Sequence, residues 1–492
     1  MSANSTHARL TRRRFLAAGA GAAGAAFGFA LSVGVRSHAQ AGQEAGSGQG
    51  RDARKPNIVL ILADDLGYGD LGCYGQQRLK TPVLDRLASR GLRFTDHYAG
   101  STVCAPSRCV LLTGLDTGHA RIRGNSPGVM TEADLTVAEV LKRAGYATGC
   151  VGKWGVGSPP PLDDPARCGF DHFYGYISMY HAHNFYPEFI LRNGQKVPLR
   201  NEVPDQWKEA DGRGVATKKV DYVPDLVADE ALAFVERNRD RPFFLYWALN
   251  VPHANNEAGK QGIEVPDQGP FAGKDWPEQE KNFAAVVLRM DRDVGRLVDK
   301  LDALGLADRT LVLFTSDNGP HQEGGHSADF FDSGGPLRGK KRDLYEGGIR
   351  VPTIAYWPGT VPAGRTTGCV SGFVDYFATF ADLAGAEAPA TDGVSLVPTL
   401  TGRPEAQKPH AYLYWEFHER GFSQAVRFGM WKAVRNGYRE APVELYDLSA
   451  DLGEEHDVSA GHPDLVAKAK DLFRTARTES DAYPVRERRP KR

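Results

Sequence analysis

A thiol at Cys104 is followed by Ala105, Pro106, Ser107 and Arg108, and an apolar run then ends at Gly114. If a helix begins at this motif, Arg108 lies about one turn beyond Cys104 and on the same side. Two acidic pairs, Asp64-Asp65 and Asp317-Asn318, each follow a continuous apolar run. Their carboxylate and amide oxygens suit a hard cation, Ca2+ or Mg2+, and no cysteine or histidine cluster has zinc spacing. Lysines stand in glycine-flanked settings, Gly152-Lys153-Trp154 and Arg338-Gly339-Lys340-Lys341. Val251-Pro252-His253 adds an imidazole whose ordinary pKa near ~6.5 permits either protonation state. Oxygen ligands, fixed cations and an imidazole are what a site needs to hold an anionic ester and stabilise the group being transferred.

The surrounding elements explain how these residues meet. Asn57–Ala63 is apolar and rich in β-branched residues, the pattern of a strand buried on both faces. Runs at Tyr146–Val151, Phe243–Leu249 and Thr310–Thr315 read the same way. Helices are expected from Pro82 to Gly91, after the capping box Thr136-Val-Ala-Glu139, and from about Asn282 to Leu304. Strands alternating with capped helices predict an α/β sandwich around a mostly parallel sheet, with the acidic pairs at the carboxyl ends of strands, where such sheets place their sites. Residues 155–220 lack periodicity and read as long loops. Beyond residue 400, short aromatic runs and one helix near Leu465–Ala476 predict a smaller antiparallel α+β unit. The expected division is 55–400 for the main domain and 401–492 for the smaller one.

The stretch from Ser101 to Gly114 resembles the signature of formylglycine-dependent type I sulfatases. The likeness runs from Pro56 to Asp457, through Glu346-Gly-Gly-Ile-Arg-Val-Pro352 and Glu444-Leu-Tyr-Asp447. The resemblance implies an alkaline-phosphatase-like fold and hydrolysis of sulfate esters. It implies that a formylglycine-generating enzyme oxidises Cys104 to an aldehyde whose hydrate attacks sulfur. Asp64, Asp65, Asp317 and Asn318 would hold calcium, with the modified residue 104 completing the shell. Arg108 and Lys153 would supply positive charge at the sulfate, as would Lys341, the lysine that falls at the family's spacing before Glu346. His253 would protonate the departing oxygen, and the second hydroxyl of the hydrate would expel sulfate. One departure stands out: many members read Gly-Lys-Trp-His, and this chain has Gly155 at the last position. A substitute base is expected from His181-Ala-His183, with His183 preferred, or from His321.

Two other readings share these motifs. A phosphomonoesterase or phosphodiesterase on the same fold would use a Ser or Thr nucleophile and two histidine-bound metals. An exported, inactive carbohydrate-binding relative would keep Cys104 as a thiol. The expected partner is a sulfated small molecule or glycan, selected by loops 155–220 and 254–280. Tyr174, Tyr176, Tyr180, Phe185 and Tyr186 are available either to stack on a sugar or simply to pack.

Residues 1–41 read as a twin-arginine leader: Arg12-Arg13-Arg14-Phe15-Leu16, an Ala/Gly-rich apolar stretch, then small-residue cleavage sites. This predicts bacterial export through the twin-arginine translocase to the periplasm or beyond, with no stable membrane anchor, and residues 42–54 form a polar linker. Removing the leader's five arginines leaves 55 basic residues against 61 acidic ones, a balance of −6. That surface argues against nucleic-acid binding, so an anionic substrate needs a local cationic pocket. Six cysteines are too few for a disulfide framework.

Overall fold

The computed structural model describes residues 55–126, 130–156, 164–207, 211–485 and 487. The expected leader and linker lie outside these residues. Among the described residues, no helix is long and apolar enough to cross a membrane.

Asn57–Ala63 is buried along its whole length and occupies the middle of a ten-stranded sheet. It pairs in parallel with Thr310–Ser316 on one side and Phe243–Ala248 on the other. Ala147–Lys153 and His172–Tyr176 continue the parallel run. Antiparallel strands flank this core: Thr353–Tyr356 on one side, Phe189–Arg192 and Gln195–Pro198 on the other. Alternate residues of the central strand face opposite layers. Ile58, Leu60 and Leu62 join one apolar cluster, and Val59 and Ile61 join the other. Cys104–Thr113, Val137–Arg143 and Val374–Ala384 cover the first face; Pro82–Arg90, Val223–Arg237 and Glu278–Ala303 cover the second.

Two expectations need correction. Residues 155–220 are not simply loops, because three sheet strands and the short helix Met179–His183 lie within them. These strands are short, and Gln195–Pro198 is largely solvent-facing, so they carry little of the apolar signal that marks a buried strand. The strand expected to end at Val151 runs on to Lys153, so the lysine is the last strand residue rather than part of the following loop. The conformation depends on Gly152: a Cβ there would lie 1.9 Å from the Ala248 carbonyl oxygen.

Four antiparallel strands, from Leu413–Phe417 to Val443–Asp447, form the second sheet, with Pro463–Thr475 packed on it. A buried ionic network joins this sheet to the main body. Lys432 contacts Glu346 at 2.9 Å and Glu454 at 3.3 Å; Tyr98 Oη donates to Glu346 at 2.6 Å, and Arg350 contacts it at 3.1 Å. Burial pushes Glu454 up to about 7, against the pull of Lys432. Replacing Lys432 by Met should therefore lower stability by about 3 kcal/mol or more, since it leaves two buried carboxyls without their shared cation. The denaturation midpoint measures this, and an unchanged midpoint would contradict it.

Candidate active site

The carboxyl ends of the five parallel strands converge on one pocket. Asp64 and Asp65 follow the central strand, Asp317 and Asn318 follow Thr310–Ser316, and Lys153 ends Ala147–Lys153. His253 lies five residues beyond Phe243–Ala248, and His183 ends the helix after His172–Tyr176. Cys104 is the first residue of a ten-residue helix buried throughout, which is closed by Gly114 at φ 68°. Its amino end, with the positive pole of the helix, faces the acidic pairs. Ser107 accepts a hydrogen bond from the Gly100 amide at 3.1 Å, so its hydroxyl fixes the preceding loop and not the site.

Ligand atoms of Asp64, Cys104 and Asp317 lie within 4.8 Å of one another. Each carboxylate meets a cation. Lys153 Nζ is 2.6 Å from Asp64 Oδ2, and Lys341 Nζ is 2.8 Å from Asp65 Oδ2. Arg108 donates through Nε and Nη2 to Asp317 Oδ2 at 3.0 and 2.8 Å, and through Nη1 to the Lys153 carbonyl at 2.8 Å. Burial would raise the Asp64 carboxyl, but Lys153 and its neighbours hold it well below the usual range. Asp317 goes the other way: burial and Asp64 outweigh Arg108 and push it up to about 7. Asp65 adopts φ 67°, a left-handed conformation that aspartate tolerates better than most residues.

Among the described residues, the site's buried oxygens Asp64 Oδ1 and Asn318 Oδ1 have no hydrogen-bond partner, although Arg108 Nη2 approaches the first at 3.7 Å. Asn318 Nδ2 is committed to Asp65 Oδ1 and the Gly319 carbonyl, so its own oxygen is free. Orphaned oxygens beside three carboxylates fit a hard cation. Asp64, Asp65, Asp317 and Asn318 are the residues that would hold it.

Burial pushes the Cys104 thiol up to about 11, so as encoded it is protonated and a weak nucleophile at neutral pH. His253 Nδ1 lies 2.7 Å from the Ala254 carbonyl, which assigns the proton to that nitrogen. Its Nε2 therefore accepts, and Lys341 Nζ faces it at 3.0 Å. Burial, and then Lys341, lowers His253 to about 3, so the imidazole is neutral in this arrangement.

The histidines considered as substitutes for position 155 separate clearly. His321 is fully engaged: Nδ1 accepts the Glu323 amide and Nε2 lies 3.1 Å from the Pro252 carbonyl. His181 donates to the Phe189 carbonyl and packs among aromatics. His183 stacks on His253, with centroids 4.9 Å apart and planes at 11°. Its Nδ1 is 3.2 Å from Glu257 Oε2. Of the two adjacent lysines, Lys341 is the one whose Nζ meets Asp65 and His253. Three residues escaped the sequence reading. Glu257 orients His183. Glu323 bridges Lys341 at 3.1 Å and Arg342 at 2.6 Å. Arg342, at φ 79°, donates its amide to the Thr102 carbonyl. The only available signal for Glu323 was its position just after Asp317-Asn318, in a polar loop.

A mixed sheet with an acidic, cation-paired pocket at the carboxyl ends of its parallel strands defines an alkaline-phosphatase-like hydrolase of anionic esters. His321 has both ring nitrogens engaged and so does not offer the free ligand that the phosphatase variant with two histidine-bound metals would need from it. The Sulfatase family model matches residues 56–386, and the N-sulphoglucosamine sulphohydrolase C-terminal model matches 339–477. Arylsulfatase A from Homo sapiens is 36% identical over 83% of this chain and 84% of its own length. An N-acetylgalactosamine-6-O-sulfatase from Bacteroides thetaiotaomicron is 31% identical over 87% and 94%. The crystal structure of Ps i-CgsB in complex with k-i-k-neocarrahexaose superposes with a TM-score of 0.73 at 28% identity, covering 88% of this chain and 95% of that one. The chain belongs to the sulfatase family and is a sulfuric ester hydrolase.

At Gly155, φ is 71° and an added Cβ would lie 3.1 Å from Arg108 Cδ. Restoring histidine by Gly155→His should therefore cost about 1–2 kcal/mol of backbone strain. It should also displace Arg108 and reduce kcat on an aryl sulfate on the order of 10-fold or more. A variant as active and as stable as the parent would refute this reading of the pocket wall.

Proposed function

We propose that Cys104 is converted to formylglycine by a formylglycine-generating enzyme, and that Ca2+, with Mg2+ as the alternative, is held by Asp64, Asp65, Asp317, Asn318 and the modified residue 104. The observation that carries this is the position of Cys104: a protonated, weakly nucleophilic thiol at a helix amino end, within ligand distance of two carboxylates and ringed by Lys153, Lys341 and Arg108. The hydrated aldehyde would supply one hydroxyl to attack sulfur and a second to expel sulfate, and the cation would neutralise charge on both.

The remaining roles belong to encoded side chains. Lys153 and Lys341 orient the sulfate oxygens and stabilise the charge that gathers on them during transfer. Arg108 holds Asp317 in place and adds positive charge beneath the nucleophile. The His253–Lys341 pair delivers the proton to the departing oxygen: Nε2 of His253 bears no proton at rest and must receive one before it can act as the acid. His183, oriented by Glu257, takes the proton that releases sulfate, the task left open by Gly155. The substrate class is a sulfated glycan, in keeping with the saccharide sulfatase and the saccharide complex among the relatives. The reading also divides the chain into a catalytic domain at 55–400 and a subdomain at 401–492. Residues 1–41 direct the folded enzyme through the twin-arginine translocase to the periplasm or beyond.

Peptide mass spectrometry across residue 104, with a hydrazide probe, should find an aldehyde in place of the thiol. Cys104→Ala should release no sulfate. A fully active enzyme with an intact thiol would overturn the proposal, and an aldehyde-free, inactive protein would favour the carbohydrate-binding alternative. Prolonged chelation should abolish activity, and Ca2+ should restore it more fully than Mg2+. Glu257→Gln should lower kcat on the order of 10-fold while changing KM little, because it disturbs a base rather than a binding contact.

A further inference from the structure

Five aromatic residues in the segment after Lys153 were available to stack on a sugar, and the structure separates them. Tyr174, Tyr176, Phe185 and Tyr186 are buried in the core, whereas Tyr180 is 45% exposed. Tyr180 and His183 stand three residues apart on the helix Met179–His183, and their rings meet edge to face at 5.7 Å. His183 in turn lies flat against His253. A column of rings thus leads outward from the pocket, and Tyr180 is one ring farther out than His183. Arg213 extends the column, with its guanidinium carbon 4.1 Å from the Tyr180 ring centroid.

The pair is held, not loose. Asp211 accepts from Arg213 Nε at 2.9 Å and from Nη2 at 3.2 Å, and Ser178 Oγ donates to Asp211 at 3.0 Å. The same Ser178 oxygen accepts the His181 amide and so caps the helix that carries Tyr180 and His183. Among the described residues, Arg213 Nη1 makes no hydrogen bond. Arg213 lies over one face of the half-exposed Tyr180 ring, and an aromatic ring paired with a guanidinium is suited to a sugar that carries an anion.

Resting on the glycan reading above, we propose that Tyr180 and Arg213 form the subsite for the sugar next to the sulfated one, and that Arg213 selects a neighbour bearing a carboxylate or a second sulfate. A single-ring substrate ends at His183 and does not reach this subsite. The enzyme therefore distinguishes acidic oligosaccharides from small sulfate esters at Tyr180 and Arg213, outside the reacting pocket.

The test is steady-state kinetics of the mature holoenzyme and its variants on p-nitrophenyl sulfate, a sulfated monosaccharide, and sulfated disaccharides with a neutral or a uronate second ring. Tyr180→Ala should raise KM for the disaccharides about fivefold to tenfold, the scale of one stacking contact, with a much smaller change for both single-ring substrates. Tyr180→Phe should restore most of the loss. Arg213→Gln should remove the preference for the uronate-bearing disaccharide. Equal losses on single-ring and two-ring substrates would mean that Tyr180 merely supports His183, and would overturn the subsite. No loss on any substrate would overturn it as well. If the parent enzyme cleaves p-nitrophenyl sulfate but no saccharide, the glycan reading itself fails and the subsite falls with it.

Discussion

Three carboxylates and three cations share a pocket from which water is almost wholly excluded, and their mutual pairing is the constraint on which the rest of the structure depends. Asp64, Asp65 and Asp317 are fully buried, as are Arg108 and Lys153, and Lys341 is nearly so. Bringing that many ions out of water costs several kcal/mol per ion unless each finds a partner. The pairs Lys153–Asp64, Lys341–Asp65 and Arg108–Asp317 offset that cost, and in each pair the two partners come from distant segments of the chain. Unless the sheet register and the placement of the Cys104 helix are both right, at least one charge is stranded. In formal charge the set is neutral. A site of this kind gains attraction for an anionic ester only when a further positive charge is added, which is the contribution that a divalent cation on the two orphaned oxygens would make.

This constraint accounts for local features that seem unrelated. Asp65 accepts a left-handed backbone because its carboxylate must turn to Lys341 while its amide reaches Asp317 at 3.1 Å. Arg342 is also left-handed, and it comes directly after the lysine that spans Asp65, His253 and Glu323. The amides of Lys341 and Arg342 are tied to the Pro320 and Thr102 carbonyls, so this loop is stitched both to the segment after the acidic pair and to the segment before Cys104. Strain at these two positions is tolerable because the surrounding bonds over-determine them.

Much of this was legible in the sequence, and the reason is physical. A strand buried on both faces must be continuously apolar, so Asn57–Ala63 and Thr310–Ser316 announced themselves, and an acidic pair directly after such a run has few places to go other than the sheet edge. Cys104 and Arg108 were legible as one helical turn. Residues whose role depends on a partner distant in sequence were not. Glu257 matters through His183, 74 positions away, and nothing around it marks that pairing. The strands between residues 172 and 198 were hidden because they are short, and the last of them lies exposed at the sheet edge. Tyr180 could not be told from Tyr176 or Tyr186 by type, since the distinction is burial, which the fold decides.

Gly155 is where local and distant constraints meet. Its left-handed backbone lets the chain turn at the end of the Lys153 strand while Arg108 passes close above it, so a side chain there would strain the backbone and press on Arg108. An imidazole does reach the pocket from another direction. The helix Met179–His183, capped by Ser178, brings one in against the face of His253. Tyr180 sits on the same helix as His183, so on the roles proposed above a base that releases sulfate and a ring that meets a neighbouring sugar would share one support. Those roles would couple chemistry and selectivity through five residues, which a histidine at 155, just beyond the end of the Lys153 strand, would not do.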